Sequence, residues 1–244
     1  MKRALALMLL AGLAACASGP GSRRGERAPD GQRVLRGYDG SQLERTASPS
    51  ALVAEQIALS QAAREDGQWT ALRDFAADDA VMFVPQLVRA QDWLNNRADP
   101  AAAMRWQPHE VVMSCDGRTG ATTGAMQRPD GSFGYYTTIW HRPYTRSGKW
   151  GWVLTHEATL ATPRPEPDFV RTRIGDCRGD VPTVTQNAAP TANSIEGRSD
   201  DRTIVWRAMV QPDGSRQVIV DLWQGSGYET VIDDRVAAPQ GNGA

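Results

Sequence analysis

From Ala51 onward, apolar residues recur at 52/53, 57–59 and 62/63, with polar and charged residues between them. That spacing gathers them on one face of a helix. Ser48 and Pro49 supply a cap and a first-turn proline, and Gly67 supplies a stop. The pattern predicts a helix over 48–67. A shorter amphipathic piece over 68–77 puts Trp69, Leu72 and Phe75 on one side. Asp78 and Asp79 then turn the chain into a short strand over 80–85. Residues 90–97 predict a third small helix, broken by Asp99-Pro100.

Beyond residue 105 the pattern changes. Residues 106–115, 118–126, 133–142 and 149–161 are rich in β-branched and aromatic side chains, separated by Gly, Pro and Asp. Strands joined by short turns imply an antiparallel sheet. Helices first and strands afterwards give an α+β domain over 48–163. Residues 164–200 open with PRPEP, are polar, and read as a linker. Residues 201–236 hold three further strand candidates, at 203–210, 216–223 and 228–236. Such a β-meander extension is too small to stand alone. It is expected to dock on the first domain or to extend its sheet.

Two segments repeat: AMQRPDGS at 125–132 and AMVQPDGS at 208–215, each followed eight residues later by a tryptophan, Trp140 and Trp223. Each copy falls between strand candidates. Pro suits the first central position of a tight turn, and Asp-Gly permits positive φ. The repeat reads as one hairpin turn used twice. A duplicated domain does not fit, because no helices precede the second copy. A phosphate loop does not fit either, because no helix follows.

The first residues carry a targeting signal. Met1-Lys2-Arg3 is a charged start, and Ala4 to Ala14 is an apolar run too short to cross a bilayer. Leu13-Ala14-Ala15-Cys16 follows and resembles the bacterial lipobox. That resemblance implies a leader over 1–15, cleavage before Cys16 and lipidation of its thiol. Ala17, by similarity to enterobacterial lipoproteins, favours the outer membrane. Residues 16–47 hold few apolar side chains and read as a flexible tether.

Loss of the leader leaves 25 basic against 28 acidic residues, a net charge of about −3. No basic block appears beyond Arg23-Arg24, so nucleic acid is not an expected partner. With Cys16 lipidated, Cys115 and Cys177 remain in an oxidising compartment. They are expected to form one disulfide; two buried free thiols are the alternative. No HExxH, CxxC, P-loop, GxSxG or GxGxxG occurs, and neither a metal site nor a cofactor is expected.

The order of FAADDAVMFVP, AQDWL and strands ending in WVLTHEAT resembles the nuclear transport factor 2-like superfamily, more closely its SnoaL-like members. The resemblance covers 48–163. It implies a cone: a curved antiparallel sheet wrapped by helices, with a pocket in its mouth. Relatives of this kind include isomerases, dehydratases and hydrolases, as well as ligand binders and dimers, so fold does not settle function.

On the strand over 150–158, plain alternation puts Trp150, Trp152, Leu154, His156 and Ala158 on one face and Gly151, Val153, Thr155 and Glu157 on the other. By resemblance, His156 takes the position that points into the cone. The expected lining is Phe75, Trp152, Leu154 and His156. His156 and Asp79 are the acid–base candidates. The plainer alternative is a satisfied strand-end histidine and a solvated Asp78-Asp79 turn. The tryptophan-rich segment also suits a small apolar ligand. The expectation is an envelope lipoprotein, anchored through lipid and facing the periplasm, with a non-catalytic binding or scaffold domain. The alternative is a lyase, isomerase or hydrolase of a small apolar substrate. A third reading has the open face of the sheet forming a homodimer.

Overall fold

The computed structural model describes residues 47–95, 97–144, 148–183 and 193–238 of the 244. The expected leader, the lipidation site Cys16 and the tether up to residue 46 lie outside the described residues.

Helix α1 (Pro49–Glu65) buries Leu52, Leu59 and Ala63 of the expected apolar face together with the polar Gln56 and Ser60, while Ile57 of that face is 52 % exposed. Its last turn closes where the Asp66 N–H donates to the Ala62 carbonyl, and Gly67 leaves it with φ of 110°. Helix α2 (Gln68–Phe75) starts at once. Its first amides are capped from thirty residues away. The Asp99 carboxylate accepts from the Trp69 N–H (2.5 Å), the Thr70 N–H (3.1 Å) and the Thr70 hydroxyl (2.7 Å). Asp99, expected only to break a helix, therefore starts another. Asp99→Ala should cost about 1 kcal/mol in urea unfolding.

Strand β1 (Ala76–Phe83) begins earlier than expected, and Asp78 and Asp79 are exposed residues within it rather than a turn. Then come β2 (Leu87–Arg89), α3 (Ala90–Leu94), β3 (Arg105–Met113), β4 (Thr119–Gln127), β5 (Phe133–His141), β6 (Gly151–Leu160) and β7 (Arg171–Ile174). They form one curved seven-stranded sheet in the order β2-β1-β6-β5-β4-β3-β7. It is mixed rather than wholly antiparallel, since β1 runs parallel to β6 and β7 parallel to β3. The three helices cover one face. Leu52, Leu59, Leu72 and Leu94 pack there with Met82, Val111, Met113, Trp140 and Trp152. Gly120 on β4 permits the close approach, because a Cβ there would lie 2.6 Å from a Leu52 methyl.

The other face is covered as well. Strands β8 (Ser194–Arg198), β9 (Ile204–Val210), β10 (Arg216–Trp223) and β11 (Tyr228–Val236) form a separate antiparallel sheet in the order β11-β10-β9-β8. Its Ile204, Trp206, Val218, Val220, Leu222 and Ile232 pack against Val81, Val112, Ala121, Ile139 and Leu154 of the first sheet. Continuous burial along β4 and β5 follows from this two-sided cover. The meander thus docks face to face and does not extend the first sheet.

The stretch over 164–200, expected as a linker, contains β7 and β8. Arg-Thr-Arg-Ile and Ser-Ile-Glu-Gly-Arg carry little strand signal of their own. Ladders to β3 and β9 hold them in place.

The two PDGS segments form the same turn. Gly131 and Gly214 have φ of 86° and 84°, and the preceding aspartates accept from the N–H of Ser132 (2.9 Å) and Ser215 (2.8 Å). A second matched pair joins β3 to β4 and β8 to β9. The Ser114 hydroxyl donates to Asp116 and the Ser199 hydroxyl to Asp201, both at 2.6 Å. These two turns touch: the Asp116 N–H donates to Asp201 (2.6 Å) and the Cys115 N–H to the Thr203 hydroxyl (2.9 Å). Cys115 is bonded to Cys177, as expected, across 62 residues. Reduction should lower the unfolding free energy by about 4 kcal/mol, the loop entropy returned to the unfolded chain. Denaturant curves with and without reductant measure this.

Candidate functional site

The cone's inner surface is decided by a bulge in β6. Trp140 pairs with Trp152, but Ile139 pairs with Leu154, so Val153 is an extra residue. A bulge of this kind reverses the alternation beyond it. Trp152 faces the helices and donates from its indole N–H to the Leu72 carbonyl at 2.8 Å. Leu154 faces the second sheet. Beyond it Thr155 and Glu157 turn into the cone, where the Thr155 hydroxyl meets that of Thr138 at 3.1 Å.

The expected lining is therefore corrected. Trp152 is part of the solid core under the helices, and Leu154 belongs to the core between the sheets. Phe75 packs half-buried against the helical core. Asp79 is exposed on β1 and does not reach the cone. His156 borders the cavity, but its ring stands edge-on to Phe83 (5.6 Å) and Tyr135 (5.8 Å). It is 1 % exposed, and neither ring nitrogen has a hydrogen-bond partner among the described residues.

Burial, reinforced by the nearby Arg216 guanidinium, pushes the His156 pKa down to about 3. The imidazole is neutral in the folded protein and protonates in the unfolded chain below its ordinary value of about 6.5. The unfolded state then binds more protons, so this group costs stability as pH falls from 6.5 toward 3, by up to about 1.4 kcal/mol per pH unit. His156→Leu should lack that slope. The difference between native and variant urea midpoints across this window isolates it from the buried carboxyls.

The space left in the cone is about 60 Å³. That is well below the size of small-molecule sites, at about 300–1,000 Å³. Trp69, Trp93, Trp106, Met82 and Met104 fill the rest, with Trp69 and Trp93 edge-to-face at 5.3 Å. Buried polar groups form a short chain: the Trp140 indole donates to the Thr122 hydroxyl (3.0 Å), which donates to Gln56 (2.8 Å). Burial raises the Tyr136 phenol well above its ordinary pKa.

Glu157, which plain alternation puts on the opposite face from His156, is the acidic residue that the bulge turns into the cone. Burial raises its carboxyl pKa, against the pull of Arg128, whose guanidinium stands 3.7 Å away. Its side chain remains 37 % exposed, so solvent moderates the effect. A glycine within a strand can mark a bulge, and Gly151 two residues before Val153 was the available signal. Glu157 is the one carboxyl among the lining residues, and the other titratable group there, His156, is wedged edge-on between Phe83 and Tyr135. No group of His, Cys, Asp and Glu among the described residues could hold a metal ion.

No family model and no curated protein matches the chain. Among solved structures it is similar to a nuclear transport factor 2-like protein of unknown function from Shewanella baltica OS155, at 14 % identity over 46 % of this chain and 94 % of that one, TM-score 0.35. It is also similar to the CaMKII hub of S. rosetta, at 19 % identity over 47 % and 96 %, TM-score 0.33. The fold is α+β, a curved seven-stranded sheet with three helices on one face and a four-stranded sheet on the other. The sheet face expected to be open for a homodimer is occupied by β8–β11 of the same chain. A larger opening, about 570 Å³, lies away from the cone, between the two sheets.

Proposed function

We propose that the protein is an envelope lipoprotein whose nuclear transport factor 2-like domain has a non-catalytic binding or scaffold role. The filled cone carries this reading. A cavity of about 60 Å³ has no room for the small apolar substrate that the enzyme alternative requires. Small-molecule sites run to about 300–1,000 Å³. The acid–base pair of that alternative is also apart, with His156 packed between the sheets and Asp79 in solvent. Glu157 is the remaining acid, and one carboxyl without a partner does not make an acid–base site.

Native mass spectrometry of the purified Cys16→Ser chain, which carries no lipid, tests the proposal. The expected result is a bare polypeptide mass with no apolar molecule retained. A stoichiometric apolar adduct that Glu157→Gln abolishes would favour the enzyme alternative.

The anchor rests on Leu13-Ala14-Ala15-Cys16 and the short apolar run before it. The native chain should fractionate with outer membranes, and Cys16→Ser should appear in the soluble fraction. Equal membrane recovery of both would remove the anchor from the proposal.

A further inference from the structure

The larger opening is walled by β3, β4, β7, β11 and the extended stretch after β6. Most of its charges are already answered. Glu110 takes Arg171 at 3.1 Å and Arg173 at 3.2 Å. Asp233 holds Arg235 at 2.7 Å, and Glu166 accepts from the Gln107 amide. Two groups of opposite sign are not answered in this way.

Arg164 is half-buried, with its guanidinium 4.9 Å over the Tyr135 ring. Its one hydrogen bond among the described residues runs to the Thr123 hydroxyl, at 3.1 Å. A guanidinium has five N–H donors in a fixed fork, so most of its donors have no hydrogen-bond partner among the described residues, and Arg164 lines the cleft. Asp234 is buried and accepts from the Thr137 hydroxyl at 2.5 Å. It forms no ion pair within 4.0 Å among the described residues, and neither does Arg164. Burial raises the Asp234 pKa, and the Thr137 hydrogen bond and the nearby Arg164 charge pull against that rise. Pro165, Pro167, Val231 and Ile232 supply apolar surface around them.

A partly desolvated cation with free donors suits a carboxylate, and a buried acceptor with no ion-pair partner in contact suits an ammonium. The volume, about 570 Å³, lies within the range of small-ligand sites. We propose that this cleft binds a short peptide with free ends, its carboxylate held by Arg164 and its ammonium by Asp234. The inference goes beyond the scaffold reading and does not depend on whether the cone is filled.

The test is isothermal titration of the Cys16→Ser chain, which removes the anchor and leaves the described residues unchanged. The probes are trialanine, trialanine amide and N-acetyl-trialanine. Trialanine should bind, and blocking either end should weaken it by about tenfold or more, the scale of one charge-assisted hydrogen bond. Arg164→Gln should bind the acid and the amide equally. Asp234→Asn should bind the free and acetylated amines equally. If Asp234→Asn fails to fold by near-ultraviolet circular dichroism, the Arg164→Gln comparison decides alone. Equal binding of all three probes by the native chain, or no heat with any of them, would overturn the proposal.

Discussion

Leu154→Asp should separate the two sheets and remove more than about 4 kcal/mol of stability. Leu154 is 0 % exposed and packs into the cluster that joins Ile139 and Val112 of the first sheet to Val220 and Leu222 of the second. A carboxylate at that position would have to be neutralised or pull water between the sheets. Leu154→Met keeps the volume and should cost less than about 1.5 kcal/mol. Urea unfolding gives both values. Limited proteolysis gives the structural readout, with new cleavage between residues 163 and 183 in the aspartate variant alone. Native stability in Leu154→Asp would mean that this face is not packed.

Trp152→Ala should be nearly as damaging, at about 3–5 kcal/mol for truncating a fully buried indole. The Leu72 carbonyl also loses its donor. Trp152→Phe keeps most of the packing and isolates that hydrogen bond, at about 1–3 kcal/mol for a buried acceptor left unpaired. Denaturant unfolding followed by circular dichroism separates the two. A tryptophan lining an open pocket would cost much less to truncate, so the alanine variant also tests whether the cone is solid at this point.

The helices and most strands were legible because each depends on local pattern. Leu52, Leu59 and Ala63 share one stripe whatever they pack against, and the turn at Pro129-Asp130-Gly131 needs only its own backbone. The side chains of the cone were less legible. One extra residue at Val153 decides whether His156 or Glu157 faces the helices, and the bulge exists only as a mismatch between β5 and β6. Asp99 reads in the sequence only as a breaker because its role as a cap depends on where α2 lies. Strands β7 and β8 were missed because their order comes from neighbours rather than from β-branched content. Arg164 and Asp234, seventy residues apart in sequence, meet only once the second sheet is in place.

That second sheet has a further consequence. It is joined by the same chain to the surface it covers, so its attachment is intramolecular and set by an effective concentration fixed by the connection. Dilution that would strip a partner from a dimer leaves this contact unchanged. Stability of the sandwich should therefore be independent of how many copies of the protein a cell makes.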